Sequence, residues 1–245
     1  MKWRQTVLRY FGTVSIILSF FAMVDASRAY GEAYIGGQFG MAMPSIGGGL
    51  KHVEIDSPLF LPGTTHSDLA LSSSFMWGLK GGYYFRSARW FGLETEFFST
   101  SPNIKEQVHT FSNPSVPGSV SSASALQGAH FTVHTFVPVN LMFRYHRTRL
   151  QPYIGFGPGI FFARIKGEGP TPETPASTSD NGRLGFNAKV GFEYFMTRHV
   201  TAFAEWKYNY ARFHFKENND LFPFPYGFNA TYNMHLVSVG LAYHF

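Results

Sequence analysis

The sequence predicts an all-β protein, an eight-stranded antiparallel up-and-down transmembrane β-barrel. Three observations predict it: apolar residues alternate with small or polar ones along eight segments, the connections between these segments are alternately long and short, and the composition is aromatic and poor in charge. Aromatic residues make up 18% of the chain and charged residues only 14%. Because ordinary soluble domains carry about a quarter of charged residues, this supply is too small for a water-facing barrel surface.

The N-terminus predicts export. Lys2, Arg4 and Arg9 precede an uncharged and mostly apolar run at residues 11–24, and small residues suited to cleavage lead up to Ala29. This run is shorter than the roughly 18 to 20 residues that a membrane-spanning helix needs. We therefore predict a cleaved Sec-type signal peptide at residues 1–29 and a single barrel domain at residues 30–245.

The basic charge of the chain lies mostly in this leader. Its removal takes away three of the five net positive charges, so the charge gives no reason to expect a nucleic-acid partner. The chain has no cysteine, which excludes disulfides, thiolate metal sites and a cysteine nucleophile.

The eight alternating segments are predicted to be the barrel strands. They cover residues 32–43, 74–85, 90–98, 135–145, 152–163, 185–195, 200–210 and 235–245. The long connections follow the first, third, fifth and seventh segments, at residues 44–72, 101–129, 166–183 and 215–230. This layout predicts a meander with every long loop at one rim and both ends of the barrel domain at the other.

Several features of the long loops carry their own predictions. Ten strands are possible if residues 51–55 or 104–111 add a hairpin within the first two loops. The low-complexity stretch 170–182 is predicted to be a flexible exposed loop. Residues 59–63 and 221–228 are apolar for loops, and we predict that they pack over the barrel mouth rather than contact a partner.

Alternation alone fits a soluble barrel with an apolar interior as well as a membrane barrel with the reverse polarity. One face of the segments is almost uncharged and rich in aromatic residues, which suits lipid. The other face combines glycines with single charges, which suits a narrow lumen. We predict that eight charged residues, four of each sign, form a network in this lumen: Lys80, Glu94, Glu96, Arg144, Lys189, Glu193, Glu205 and Lys207. Arg144 is expected to pair with Glu94 or Glu96, which lie on the neighbouring strand, and Lys80 competes for the same carboxylates.

The last strand ends on Phe245, with Val237, Val239, Leu241 and Tyr243 at the alternating positions before it. This pattern resembles the C-terminal signal by which the Bam assembly machinery recognises outer-membrane barrels. With the segments AYIGGQFG, QPYIGFGPG, KVGFEYF and VTAFAEWKY, the chain resembles the small OmpA/OmpX-like, porin-family-like outer membrane protein beta-barrel family over most of residues 30–245. The resemblance implies a monomer in the outer membrane of a Gram-negative bacterium. It also implies contact with outer-membrane lipid and lipopolysaccharide, and with the Bam machinery and periplasmic chaperones during biogenesis.

Some outer-membrane barrels are enzymes, so the histidines were weighed as catalytic or metal-binding candidates. His130 and His134 share a strand face near the outer rim, where Ser72, Ser73 or Asp68 could complete a dyad or a weak metal site. Two residues four apart on a strand lie about 13 Å from each other, too far to bind one ion together. We therefore predict no catalytic residue, no metal and no cofactor.

The predicted role is structural or a surface interaction through long extracellular loops. Two alternatives stay open, a narrow porin-like channel for small solutes and a lipid-modifying outer-membrane enzyme.

Overall fold

The computed structural model describes residues 31–44, 48–56, 61–113, 115, 121–126, 129–171, 174–218, 220–221 and 226–245. The predicted signal peptide at residues 1–29 lies outside these ranges. Within them, no helix has the length and apolar character that crossing a membrane requires.

The described residues form twelve β-strands, of which eight were expected. They are β1 (Gly31–Ala42), β2 (Gly49–Asp56), β3 (Thr65–His66), β4 (Ser74–Phe85), β5 (Ala88–Thr100), β6 (Gln107–Ser112), β7 (Ser121–Leu126), β8 (His130–Arg144), β9 (Leu150–Thr171), β10 (Thr174–Phe195), β11 (Val200–Phe215) and β12 (Gly227–His244).

Eight of these strands close into an antiparallel barrel, in the order β1-β4-β5-β8-β9-β10-β11-β12. Closure comes from β1 pairing with β12, from Tyr34 opposite His244 to Ala42 opposite Leu236. The predicted eight-stranded up-and-down barrel is confirmed.

The other four strands continue the barrel wall upwards. β2 pairs with Gly227–Asn233 of β12, directly above the part of β12 that pairs with β1, so β2 prolongs the line of β1. β3 pairs with β2, β6 with β3 and β7 with β6. We call this upper wall the collar, and it consists of β2, β3, β6, β7, the connecting residues 61–64 and 101–106, and the upper parts of the long strands at residues 130–135, 161–171, 174–183, 211–215 and 227–236.

The predicted loops are therefore largely strands. Residues 51–55 lie in β2 and residues 107–111 lie in β6, but both extend the wall in height and leave the barrel with eight strands. The prediction of a flexible loop at 170–182 is wrong for residues 174–182, which belong to β10 and pair with β9. Side chains explain this order, since Thr178 Oγ1 donates to the Lys216 carbonyl at 3.0 Å and Asp180 Oδ2 accepts from His214 N at 2.6 Å.

Below the collar the wall has the predicted inside-out polarity. Large apolar side chains point outward and stay exposed, such as Phe39 at 57%, Leu79 at 58% and Leu241 at 58%. Val137 is an exception, because alternation along the predicted segment 135–145 puts it on the apolar, lipid-facing side with Val139 and Leu141, and it instead lies inside with 0% exposure. A bulge between Phe136 and Leu141 shifts the phase of β8 at this point.

The collar has the opposite polarity. On β12 the inward side chains of the collar are apolar and buried: Phe228, Ala230, Tyr232, Met234 and Leu236. The inward residues below the collar are small or polar: Ser238, Gly240, Ala242 and His244. The outward side chains change from Asn229, Thr231 and Asn233 above to Val237 and Val239 below. A membrane barrel and a water-facing barrel thus follow each other on the same strands, which the sequence interpretation treated as alternatives.

Candidate functional site: a closed lumen beneath an apolar collar

Six of the eight predicted network residues meet in the middle of the lumen. We call them the charged cluster: Lys80, Glu94, Glu96, Lys189, Glu205 and Lys207. Lys189 Nζ contacts Glu94 and lies 2.9 Å from Glu96 Oε2. Lys207 Nζ contacts Glu96 and lies 3.0 Å from Glu205 Oε2. Three cations and three carboxylates cancel, which is the condition under which buried charges are tolerated.

Lys80 joins this cluster from the opposite side of the lumen. Its Nζ lies 2.6 Å from Glu205 Oε1 and 3.9 Å from Glu94 Oε2. The Phe203 ring centroid is 3.4 Å from the same ammonium, and the Tyr153 hydroxyl donates to Glu205 Oε1 at 2.6 Å. An aromatic ring and a phenol thus complete the shell around the Lys80–Glu205 pair.

Two residues of β1 belong to the cluster and were missed from the sequence. Gln38 Nε2 donates to Glu96 Oε1 at 2.5 Å while Gln38 Oε1 accepts from Lys207 Nζ at 2.7 Å. The Tyr34 hydroxyl donates to Glu94 Oε2 at 2.6 Å. Both side chains point inward from β1. The alternation that predicted the inward charged residues therefore also predicts an inward position for these two neutral partners.

Arg144 lies in a second group, at the lower rim of the barrel, which we call the rim cluster: Glu32, Arg144, Glu193 and His244. Its guanidinium binds both carboxylate oxygens of Glu32, at 2.8 and 2.5 Å. The predicted pairing of Arg144 with Glu94 or Glu96 is wrong. Glu94 pairs in the sheet with Asn140, four residues above Arg144, and this separates the two charges by about 13 Å along the strand.

Glu193 also belongs to the rim cluster. His244 Nε2 lies 2.9 Å from Glu193 Oε1, and His244 Nδ1 lies 2.7 Å from Glu32 Oε1. Thr201 Oγ1 donates to the same Glu193 oxygen at 2.7 Å. His244 therefore bridges the two acids, although the sequence interpretation placed it on the lumen face without counting it as a partner.

Above the charged cluster the lumen becomes neutral and then apolar. Asn187 Nδ2 donates to Asn209 Oδ1 at 2.7 Å, and both amides are fully buried. Higher up, the Phe131 ring packs against Phe213 and Tyr232, with centroids 6.3 and 6.1 Å away. Burial raises the pKa of Tyr232, so its phenol stays neutral in this core. Among the described residues, side chains contact one another across the lumen at each of these levels, from the rim cluster to the collar.

The residues of the apolar loop 221–228 that the structure describes pack into this core, as predicted. Leu221 and Phe228 are 0% exposed, and Tyr226 is 8% exposed. Residues 222–225 and 59–60 lie outside the described ranges. For the first loop, the prediction of packing is wrong at residues 61–63, which are exposed, with Leu61 at 60%.

A family comparison agrees with this inside-out wall. The model of the outer membrane protein beta-barrel domain matches residues 13–245. The chain belongs to this family. The outer membrane protein beta-barrel family thus accounts for the fold and for the outer-membrane class of the protein.

Solved structures share the fold of this family member. OprG from Pseudomonas aeruginosa superposes with a TM-score of 0.55 at 16% identity, over 88% of this chain and 96% of that one. Neisserial surface protein A (NspA) gives 0.48 at 13% identity, over 87% and 97%. The outer membrane protease OmpT from Escherichia coli gives 0.45 at 12% identity, over 89% and 97%. At these identities the likeness concerns the fold alone. No curated protein matches the chain in sequence.

The two candidate histidines of the barrel lie on the outward face of β8 and have other neighbours. His130 Nδ1 faces Asn103 Oδ1 at 3.0 Å. The His134 ring stacks on Phe97 with the centroids 6.3 Å apart. The structure does not bring these histidines together into a dyad.

Of the proposed partners, Ser72 contacts the same Asn103 that faces His130, whereas Asp68 is engaged by another residue. Ser72 Oγ accepts from Asn103 N at 3.0 Å, and Asp68 Oδ1 accepts from His52 N at 3.0 Å. Ser73 is exposed. Across the described ranges, no group of three or more His, Cys, Asp or Glu side chains is placed to hold a metal ion.

The residues of the predicted assembly signal lie on the lipid side of β12. Val237, Val239, Leu241, Tyr243 and Phe245 all point outward, with exposures between 39% and 58%. They belong to the strand that closes the barrel against β1. Recognition of this strand during assembly stays a prediction.

Proposed function

We propose that this outer-membrane barrel is a closed scaffold that holds its collar outside the cell for surface interactions. The observation that carries the proposal is the series of side-chain contacts that cross the lumen at successive heights. A solute would have to pass the rim cluster, the charged cluster, the buried asparagines and the apolar core in turn, and each is held by direct contacts. An eight-stranded barrel has only enough interior for its own side chains.

The collar supplies the interaction surface. Its outer face is polar, its inner face is a packed core, and its strands are continuous with the barrel wall. Binding residues of many proteins lie on segments that a rigid scaffold positions in this way. Val108 of β6 is 67% exposed and Leu61 is 60% exposed, so apolar contact points are present on the collar.

A narrow channel is the second candidate, and the charged cluster argues against it. Conduction would require Lys189 or Lys207 to leave carboxylates that they contact inside a low-dielectric lumen, which is costly for buried ion pairs. A lipid-modifying activity lacks support, because the candidate histidines are held apart by other contacts.

The partners of biogenesis follow from the same proposal. The barrel is a monomer surrounded by outer-membrane lipid and lipopolysaccharide, and the Bam machinery and periplasmic chaperones assemble it through the strand that ends at Phe245. The exposed apolar positions of β12 support this, since they present the required pattern on an outer face.

Planar-bilayer recording tests the closed lumen. The mature chain, refolded into detergent and inserted into a bilayer, is expected to give no resolved conductance steps, while a wide porin in the same bilayer gives them. Reproducible steps from the folded, heat-modifiable form would contradict the closed scaffold and favour the channel.

Cysteine labelling tests the orientation of the collar, because the natural chain contains no cysteine. Val108→Cys in the collar is expected to react with a membrane-impermeant maleimide on intact cells. Arg198→Cys, in the exposed turn between β10 and β11, is the matched control and should react only after the outer membrane is permeabilised. The reverse labelling pattern would place the collar in the periplasm.

A further inference from the structure

A groove of about 700 Å³ lies on the outer face of the collar, apart from the lumen. Its walls come from four strands and are formed by outward side chains over a floor of Phe213 and Ala230: His52, Glu54, Arg183, Tyr208, Tyr210, Arg212, His214, Asn229, Thr231 and Asn233. The proposed scaffold role does not use it.

Two irregularities of the backbone shape this groove. His52 has a φ of 50°, and among the described residues it is the one non-glycine residue with positive φ. It lies in a bulge of β2 against β12. Gly182, with φ of 89°, lies in a bulge of β10 directly before Arg183. Bulges redirect side chains, and strained backbone is concentrated at functional sites.

The polar groups of the groove match a phosphorylated sugar. Arg212 is exposed, and its Nε donates to the Tyr210 hydroxyl at 3.1 Å, which fixes one edge of the guanidinium. Arginine forks are suited to phosphate oxygens, and tyrosine and asparagine side chains are suited to sugar rings and hydroxyls. The Tyr208 hydroxyl donates to Asn233 Oδ1 at 3.1 Å, so the lower groove is also ordered.

Acidic groups also face this groove and limit what it can accept. Glu54 lines it, Asp180 pairs with Arg183 at 2.6 Å, and Asp56 Oδ2 lies 3.7 Å from His214 Nδ1. The groove is therefore mixed in charge, which suits a headgroup with both hydroxyls and phosphate better than a bare anion.

The position of the groove indicates a lipid. Directly below it on the same strands begins the lipid-facing belt, with Trp206 at 39% exposure, Phe186 at 43% and Leu184 at 75%. An amphiphile whose headgroup occupied the groove would lay its acyl chains along these side chains. A soluble sugar or free phosphate would gain nothing from this continuity.

We propose that the groove binds the phosphorylated sugar headgroup of an outer-leaflet glycolipid, the lipid A part of lipopolysaccharide, with Arg212 on the phosphate. The outer leaflet as the source rests on the collar orientation of the proposed function. If labelling places the collar in the periplasm, the groove would lie beside the inner leaflet, out of reach of lipid A, and the assignment of this ligand would be overturned even if the purified protein bound it.

The test uses the mature chain refolded free of lipopolysaccharide, and native mass spectrometry from detergent with four probes: diphosphoryl lipid A, monophosphoryl lipid A, a phosphate-free diglucosyl lipid and inorganic phosphate. We expect binding in that order, with diphosphoryl lipid A tightest. Arg212→Gln is expected to weaken diphosphoryl lipid A binding about tenfold, with Arg212→Lys in between because lysine lacks the bidentate fork.

Lys105→Gln is the control, since it removes an exposed collar cation between β5 and β6, away from the groove strands. It should leave binding within about twofold, as expected for a distant surface charge. Equal losses in both variants, an unaffected Arg212→Gln protein, or competition by inorganic phosphate would overturn the proposal. Because Arg212 is exposed, an unchanged melting temperature of Arg212→Gln is expected and separates loss of binding from loss of folding.

Discussion

Lys207 illustrates how a single residue connects side chains from several strands across the lumen. Its ammonium is completely buried, yet it contacts Glu96 and lies 3.0 Å from Glu205 and 2.7 Å from Gln38. A buried lysine without such partners would give up its charge or destabilise the fold. Each cation of the charged cluster therefore offsets the cost of burying the carboxylates that it contacts.

Replacement of Lys207 by methionine tests this dependence. Lys207→Met leaves Glu96 and Glu205 with one cation too few, and we expect the free energy of unfolding in lipid vesicles to fall by about 3 to 5 kcal/mol, as when one partner of a buried pair is removed. Urea titration followed by gel mobility measures the change.

Two companion variants distinguish lost charge balance from lost packing. Lys207→Met with Glu96→Gln restores equal numbers of both signs and should recover part of the loss. Lys105→Met removes an exposed lysine and should change the free energy of unfolding by less than about 0.5 kcal/mol. A double variant as unstable as the single one would show that charge balance is not the cause.

Phe245 supports a prediction about assembly. Phe245→Ala keeps the hydrogen bond from its backbone N to the Ala33 carbonyl but removes the aromatic end of the predicted signal. We expect less protein in the outer membrane of expressing cells and unchanged refolding of the purified chain in detergent. Tyr145→Ala removes a similarly exposed aromatic ring outside the signal and should assemble normally. Equal losses in both variants would indicate instead that exposed aromatic rings anchor the barrel at the membrane interface.

At this scale the sequence predicted which side chains face inward better than it predicted which ones meet. Alternation within a strand gives the face of Glu94 or Arg144 directly. Their partners depend on height along the barrel axis, which follows from strand stagger and bulges that no single segment encodes. Glu32 and His244 were missed as partners. They meet Arg144 and Glu193 because all four residues lie at the lower ends of their strands.

At the scale of elements, one strand shows every layer of the interior. From the lower rim upward, the inward side chains of β11 change from polar and charged to neutral and then to apolar: Thr201, Phe203, Glu205, Lys207, Asn209, Ala211, Phe213 and Phe215. The outward side chains change in the opposite sense, from Trp206 and Tyr208 to Arg212 and His214. The side chains of the strand keep their period of two, but the polar face and the apolar face change places between the lower barrel and the collar.

Arginine substitution on one strand tests this exchange. Leu141→Arg, near the middle of the outward apolar run of β8, should lower the free energy of unfolding by about 2 to 4 kcal/mol, as for a charge at the bilayer midplane. Thr132→Arg lies on the outward face of the same strand in the region of the collar and should cost little. Urea titration in vesicles compares them, and similar costs would mean that the polarity of β8 does not change.

The bulge of β8 gives a second test. Within this bulge, the Val139 carbonyl lies so close to Gly157 of β9 that an added Cβ would overlap the backbone oxygen. Gly157→Ala should therefore destabilise the barrel by about 1 to 3 kcal/mol, as overpacking does. Gly37→Ala is the control, because its Cβ would meet only Leu79 Cδ2 at 3.9 Å. Denaturant midpoints in detergent measure both, and a tolerated Gly157→Ala would mean that the bulge relaxes.

The collar strands could have been predicted from the sequence. They were missed because a predicted strand was required to have an apolar outward face. Residues 211–215 and 227–236 alternate in phase with the predicted strands, but their outward side chains turn polar, which ended the lipid-facing pattern. Following the inward phase alone would have continued β11 and β12 upward. The inward position of Val137 could not be predicted from the sequence, since the bulge around it is defined by the pairing of β8 with β5 and β9.

For the whole molecule, the lumen has two closures in series, the charged cluster below and the apolar core of the collar above. They share few contacts and have different chemistry, one held by ion pairs and the other by packed rings. In the proposed closed scaffold, either layer would block a solute path without the other.

This arrangement predicts that damage to the collar alone does not make a pore. Phe131→Ala with Phe213→Ala should loosen the collar at a cost of about 3 to 5 kcal/mol per ring, as for core phenylalanines. Single-channel recordings should nevertheless stay silent, because the charged cluster is intact. Conductance steps in this double variant would mean that the collar is the sole barrier.

The change of polarity at Leu236 and Val237 also bears on how membrane thickness is inferred from strand length. β9 and β10 each contain 22 residues, which at about 3.3 Å per residue would imply a span of roughly 70 Å. The outward apolar stretch from Val237 to Phe245 covers only about 26 Å along the strand, or about 20 Å after a tilt of about 40°, which is within about 5 Å of the apolar band of outer-membrane barrels. The lipid-facing part of each strand is therefore the part with apolar outward side chains, and the rest of each long strand extends into water.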